Sequence, residues 1–211
     1  MADNYLEKRE EAVRERRPVV KRVNASLDTL LKRNRSYRGY DKARKVTEEE
    51  LKQIVSVTTL VGSGKNLQRL RYRLVTSEEA PKVLPNIVLG AALPQEHLPK
   101  PGTEPEAFIV VCCTGNEDRV VDIDLGIAAQ SMLLKATEMG LGGIFILNFK
   151  ADAIREALSL PSRPIAVIAI GKGAESIYLI PVHAGASLDY YRKDGVHFVP
   201  KLYPEDILIN P

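Results

Sequence analysis

The first stretch of the chain has few apolar positions. Across residues 4–17 only Tyr5, Leu6, Ala12 and Val13 interrupt the charges. That pattern predicts a helix that buries little surface alone and either packs on another subunit or lies in solvent. Pro18 ends or kinks it. Leu27, Leu30 and Leu31 then give one apolar side to a helix over 24–32. Leu51, Ile54, Val55 and Val61 recur at helical spacing behind Thr47 and Glu50, a capping-box pair. Residues 48–61 therefore read as an amphipathic helix, stopped by Gly62, Ser63 and Gly64. Alternation over 70–76 predicts a strand.

Pro81, Pro85, Pro94, Pro99, Pro101 and Pro105 make 81–106 a long irregular excursion. Loops of that length are often functional, and this one is a candidate lid. Residues 107–113 form a continuous apolar run, read as a buried strand. Residues 124–139 are apolar nearly all round, from Leu125 through Met132 to Met139, which predicts a central helix covered on most sides. Asp124 suits its N-terminus and Gly140 its left-handed end. Strands are expected at 143–147 and 164–170 with a short helix over 151–158 between them. Residues 176–181 look extended. The tail from 181 onward reads as loop-rich, extended only over 196–199. About four core strands and five or more helices, segregated along the chain, give an α+β fold class.

Composition narrows this picture. The 211 residues are 45% hydrophobic and 27% charged, which fits one globular domain with extensions and excludes a wholly disordered chain. The net charge of +3 is too small to argue for a nucleic-acid partner. Basic residues gather over 8–45, but Glu7, Glu10, Glu11 and Glu15 break any continuous phosphate-tracking stripe. Cys112 and Cys113 are neighbours on a strand and point to opposite faces, which argues against a disulfide between them and fits a reducing compartment. No apolar run reaches the roughly 18 residues that span a bilayer. The N-terminus lacks a signal-peptide pattern. The expectation is a cytoplasmic protein with neither membrane nor nucleic-acid partner.

Several motif-like segments fail on inspection. Gly62, Ser63, Gly64, Lys65, Asn66 is no P-loop, because Thr59 and Asn66 occupy positions that need Gly and Ser or Thr, and a helix precedes it. Gly171, Lys172, Gly173 lacks the third glycine of a dinucleotide fingerprint and reads as a strand-terminating turn. His97, His183 and His197 have no metal-ligand spacing. Two segments remain. Lys32, Arg33, Arg35 and Arg38 surround Ser36, and guanidinium and hydroxyl donors at that spacing can converge on one anion. An exposed basic turn explains the segment equally well. Ser63, Gly64, Lys65, Asn66, Leu67, Gln68 sets amide donors and acceptors beside a glycine, which suits the edge of a heterocycle. A capped turn explains it too.

Taken in order, four stretches resemble the FMN-dependent nitroreductase family. Arg35, Ser36, Tyr37, Arg38, Gly39, Tyr40 is similar to the family's opening phosphate motif, and Ser63 to Gln68 to its Ser-x-x-Asn-x-Gln segment. Asp124 to Gly142 resembles the central dimer helix and the Gly-Leu-Gly turn after it. Residues 164–171 resemble the last core strand. The resemblance implies a mostly antiparallel central sheet flanked by helices, an intertwined homodimer and two FMN molecules at the subunit interface. It divides the chain into an extension over 1–29, which would wrap the partner, and an FMN-binding domain over 30–211. Arg35, Ser36 and Arg38 would hold the phosphate, the ribityl chain and a nearby ring oxygen, and Lys201 would supply the C-terminal phosphate-binding base. Ser63, Gly64, Asn66 and Gln68 would approach the isoalloxazine from the other subunit. Gly142 and Gly143 would offer N–H groups near the redox-active edge. The implied activity is NAD(P)H-dependent reduction of a nitro, quinone or related small acceptor, with no catalytic acid or base assigned. Alternatives are a family member with flavin or dehalogenation chemistry and a non-enzymatic anion-binding module. Four positions depart from the family: Asn34 stands where Arg is frequent, Arg69 and Leu70 replace a common Pro-Trp pair, and Leu202 replaces a second base.

Overall fold

The computed structural model describes residues 25–90 and 98–209. The helix expected over 4–17, most of the proposed 1–29 extension and part of the Pro-rich excursion lie outside the described residues. The chain runs α1 (Leu27–Arg33), α2 (Glu48–Ser56), β1 (Leu70–Val75), α3 (Ala80–Val83), β2 (Ala107–Cys113), α4 (Arg119–Glu138), β3 (Gly142–Ile146), α5 (Ala151–Ala157), β4 (Pro164–Gly171), β5 (Ser176–Val182), β6 (Tyr191–Lys193), β7 (Val196–Leu202) and α6 (Pro204–Ile207).

β1, β2, β4 and β3 form a sheet in that order, with every neighbouring pair antiparallel. β2 is buried along its whole length, which is why it reads as an unbroken apolar run. Phe108 and Val110 point to one face and join Val83 of α3 and Ile154 of α5. Ile109 and Val111 point to the other and join Leu51 and Ile54 of α2 and Met132 of α4. Helices thus cover both faces. Each fully buried side chain of this size contributes about 1.5–3 kcal/mol relative to exposure. Among the described residues no helix is long and apolar enough to cross a membrane.

Most elements stand where the pattern puts them, but the Pro-rich excursion expected to be irregular from 81 begins with α3 and a 3-10 turn over Leu84–Asn86, and α2, α4 and the tail also differ. α2 begins on the expected capping box: Glu50 N–H donates to the Thr47 hydroxyl at 3.2 Å, and Thr47 N–H donates to the Glu50 carboxylate at 2.9 Å. It ends at Ser56, before 61. The hydroxyls of Thr58 and Thr59 donate back to the carbonyls of Val55 and Ser56, each at 2.8 Å, and this local bonding accompanies a tighter 3-10 turn over Val57–Thr59. α4 begins five residues before the expected start. Asp118 is its cap, accepting from Val120 N–H at 2.9 Å and Val121 N–H at 3.0 Å. Asp124 lies inside the helix and is buried. Gly140 ends it in the left-handed region, as expected.

The tail is the larger correction. It is not loop-rich: β5, β7 and β6 form a second sheet in that order, with β5 parallel and β6 antiparallel to β7. The β6–β7 hairpin turns on Asp194 and Gly195, both at positive φ, the backbone of a two-residue hairpin turn. Cys112 and Cys113 are free and buried, and burial pushes both thiols up.

Candidate functional site

The segment after α1 is held against the ends of β3 and β4. Asn34 closes α1, its N–H donating to Leu30 C=O at 2.8 Å. Tyr37 N–H donates to Gly143 C=O at 3.2 Å, Asp41 N–H to Lys172 C=O at 2.8 Å, and Ala174 N–H to Gly39 C=O at 3.0 Å. Small residues permit this approach. A Cβ on Gly142 would stand 2.5 Å from the Tyr37 ring, and one on Gly173 would stand 2.3 Å from it. The ring therefore occupies the space that side chains at 142 and 173 would fill. The Gly171–Gly173 turn is thus a seat for Tyr37 and Tyr40 as well as a strand end. Tyr40 is buried, and burial first, then the Glu175 carboxylate, pushes its phenol far above the usual range.

This seating turns the basic segment into one wall of a cavity of about 370 Å³. Arg35, Ser36, Arg38, Gly143 and Lys201 all line it. The second sheet supplies much of the facing wall, with Ile177, His197 and Val199, joined by Tyr190 just before β6, and Gln130 of α4 borders it. Arg35 is half-buried, and burial lowers its pKa, the mark of a guanidinium short of compensation. It donates Nη2 to the Leu31 carbonyl, while its Nε is buried without a partner. Arg38 is 7% exposed; its Nη1 donates to Ser36 C=O at 3.0 Å, its guanidinium lies 5.2 Å from the centre of the Tyr190 ring, and its Nε is also unpartnered. Its own N–H and that of Gly39 (2.9 Å) donate to Glu175, whose other oxygen pairs with Arg192 of β6. Neither Arg35 nor Arg38 has an ion pair among the described residues. Buried cations without a counter-charge are costly unless something completes them. An anion in this cavity would do so.

The second predicted segment lies elsewhere. Ser63 and Gln68 line a separate cavity of about 240 Å³ beside Asp124. The Ser63 hydroxyl donates to Asp124 at 2.7 Å and accepts from Gln68 N–H at 3.0 Å, and Gly64 N–H donates to Asp124 at 2.8 Å. Lys65, Asn66 and Gln68 all sit at positive φ, a concentration of local strain that persists only where the surroundings enforce it. Asn66 and Gln68 are exposed, with Gln68 Nε2 donating to Asn66 Oδ1 at 3.0 Å. Arg69 clasps Asp118 through two contacts of 2.8 and 2.9 Å and so steadies the cap of α4.

Of the ten residues singled out by resemblance, one chain gathers Arg35, Ser36, Arg38, Gly143 and Lys201. It keeps Ser63, Gly64, Asn66 and Gln68 apart from them, and it seats Gly142 beneath Tyr37. Sequence reasoning missed Tyr190 and His197. The signal was present in Asp194-Gly195, a strong hairpin pair between two short strands.

The family model described as the nitroreductase family matches residues 31–99 and 109–172. The chain belongs to the nitroreductase family. It is thereby an oxidoreductase by family, and its antiparallel sheet flanked by helices is the fold its structural neighbours share. A protein of Methanothermobacter thermautotrophicus carrying the name NADH dehydrogenase/NAD(P)H nitroreductase is 28% identical over 163 residues, 72% of this chain and 81% of the relative. An FMN-dependent nitroreductase of Clostridium difficile R20291 superposes with a TM-score of 0.56 at 26% identity, covering 70% of this chain and 87% of the other. A nitroreductase of Exiguobacterium sibiricum 255-15, solved in complex with FMN, gives 0.57 at 19% identity over 72% and 90% of the two chains, and carries the fold alone. β5, β6 and β7 follow the last residue matched by the family model.

Proposed function

We propose that this nitroreductase-family chain is an NAD(P)H-dependent enzyme that holds FMN and reduces a small nitro, quinone or related acceptor. The observation that carries the reading is that half-buried Arg35 and buried Arg38, each with an unpartnered Nε and neither with an ion pair among the described residues, flank Ser36 in a 370 Å³ cavity. Such donors fit a phosphate monoester, which matches charge with charge and offers several acceptor oxygens. Arg35, Ser36 and Arg38 bind it, and Lys201 adds charge from the facing sheet. FMN bound there would supply the redox chemistry between a nicotinamide reductant and the acceptor. The chain's part is to bind and orient it and to exclude water. No side chain is required as an acid or base.

The Asn66–Gln68 amides complete the site from a second copy in this reading. A single chain presents both exposed and away from that cavity, on a loop held by Asp124, with Gln68 at the second cavity. Apolar surface is also left on the chain: Ile123 and Ile127 on the outer side of α4, and Leu60 and Leu67 around the same loop. A homodimer that covers these residues would bring one copy's amides towards the other's cavity.

FMN titration into the purified chain, followed by addition of NADPH, tests the reading. Bound FMN that bleaches with NADPH and is reoxidised by nitroaromatic or quinone acceptors supports it. A chain that binds no FMN overturns it.

A further inference from the structure

Four polar or charged side chains are buried among the described residues: Arg38, Asp124, Thr137 and His197. Asp124 accepts from Ser63 and Gly64, and Thr137 donates to Leu133 C=O at 2.8 Å. The other two carry unpartnered atoms, Arg38 Nε and His197 Nδ1, and both line the 370 Å³ cavity. His197 is 3% exposed. It shares one face of β7 with Val199 and Lys201, two and four residues on, and all three line the cavity. Phe198 points to the opposite face, where it stacks with Tyr191 at 5.2 Å.

Resting on the FMN reading, we infer that His197 is a further phosphate-binding residue of this cavity and takes up a proton as the phosphate dianion of FMN binds. It supplies from within β7 the second base that Leu202 does not provide. The groups around it come from four places. Arg38 stands on the basic segment, Glu175 before β5, Tyr190 and Arg192 at β6, and Lys201 on its own strand. The rings of Tyr190 and His197 lie 5.4 Å apart. Burial first, then Arg38 and Arg192, hold the imidazole below its usual pKa, while Glu175 acts the other way. The ring is therefore neutral near pH 7 and adds no charge until an anion arrives. A dianion then becomes the dominant neighbour and favours the imidazolium, in which both ring nitrogens donate.

The sign follows from linkage. The pKa with ligand exceeds the pKa without it, so binding takes up a proton between the two, and affinity rises as pH falls through that window. The phosphate's own second ionisation, near pH ~6, acts oppositely, because binding its dianion releases a proton. Net uptake thus points to the protein.

Calorimetric titration of the full chain with FMN, in two buffers of different ionisation enthalpy between about pH 6.5 and 8.5, counts the protons. Wild type is expected to take up a fraction of a proton with FMN. Riboflavin, which lacks the phosphate, should bind without that uptake or not at all. His197→Gln should lose the uptake, flatten affinity against pH and weaken FMN about threefold to tenfold at the acid end. The wild-type comparison of the two flavins stands even if the variant folds poorly. FMN binding without proton uptake, or with the same uptake in riboflavin or in His197→Gln, overturns this inference and leaves the FMN reading intact. Uptake with inorganic phosphate but none with FMN assigns the cavity to free phosphate and overturns the pairing. Absence of any FMN binding overturns the FMN reading and this inference with it.

Discussion

Ser63 donates its hydroxyl to Asp124 at 2.7 Å, fastening the loop that presents Asn66 and Gln68 to the buried side of α4. Gly64 N–H reaches the other carboxylate oxygen at 2.8 Å. One carboxylate inside a helix thus holds three left-handed residues in place, and its polarity serves the loop rather than the helix. The Ser63 hydroxyl and Gly64 N–H are committed to this fastening, so the groups the loop turns outward are the amides of Asn66 and Gln68.

Removing the fastening should loosen both the fold and the site. Hydrogen bonds to a charged group contribute about 1.5–3 kcal/mol each. Asp124→Ala is expected to cost about 3 kcal/mol or more and to weaken FMN binding, with Asp124→Asn intermediate because it keeps one acceptor. Urea unfolding and fluorescence titration read the two effects. Unchanged stability in Asp124→Ala would remove the carboxylate from this role.

The same loop depends on close approach to α4. A Cβ on Gly64 would stand 2.2 Å from Val120 Cγ1. Gly64→Ala is expected to destabilise by about 1–3 kcal/mol through overpacking. Val120→Ala removes the obstructing atom, so the double variant should recover part of that loss. A coupling of about 0.5–3 kcal/mol in a double-mutant cycle checks the contact. Additive losses would place the strain elsewhere.

Arg38 should separate binding from stability. Arg38→Met keeps an unbranched apolar side chain of similar length and removes a buried cation that has no ion pair among the described residues. Stability without ligand is expected to hold or rise, because a buried charge lacking its counter-ion costs free energy. FMN affinity is expected to fall about tenfold or more, since roughly 1.4 kcal/mol of lost charge-assisted bonding already gives that factor. Thermal unfolding with and without FMN measures both. Equal stabilisation by FMN in wild type and variant would show that the cavity does not take the phosphate through Arg38.

How much of this was legible in the chain depends on the range of the contact concerned. β2 and β4 were readable because strands covered on both faces become continuous apolar runs. The capping box at Thr47 and Glu50 was readable because it closes within four residues. The start of α4 was not, because a polar residue ahead of an apolar run resembles a cap whether it bonds the helix, as Asp118 does, or a distant loop, as Asp124 does. β5 and most of β7 were readable as extended segments, but their pairing into a second sheet was hidden by Pro181 and Pro200. Pro181 sits in the edge strand β5, and β6 pairs with β7 only over Val196–Phe198, so Pro200 lies where β7 has one neighbour. The basic segment was visible, but its seat was not, since Tyr37 meets Gly142 and Gly173 from more than a hundred residues away in sequence. The separation of the Ser63–Gln68 loop from the cavity lined by Arg35 and Arg38 is likewise a property of the folded chain that no spacing encodes.

Acid should reach the site through Glu104. Its carboxylate accepts from Gly102 N–H at 3.0 Å and from Lys42 Nζ at 2.7 Å, and these partners, Lys42 first, pull its pKa down to about 2. Thr103 C=O beside it accepts Tyr40 N–H at 2.9 Å, which links this turn to the segment that bears Arg35 and Arg38. The folded pKa lies below the unfolded value of about 4.3, so the contribution is fully present above the unfolded value and is lost as pH falls through the folded one. Glu104→Gln is therefore expected to be less stable than wild type at neutral pH, with the gap closing from about pH 5 down to about pH 2. Both partners are partly exposed, with side-chain accessibilities of 25% and 37%, so the gap should be modest and shrink in high salt. Thermal unfolding of the two proteins across that range is the measurement. A gap that stays constant down to pH 2 would mean that Glu104 acts through something other than its charge.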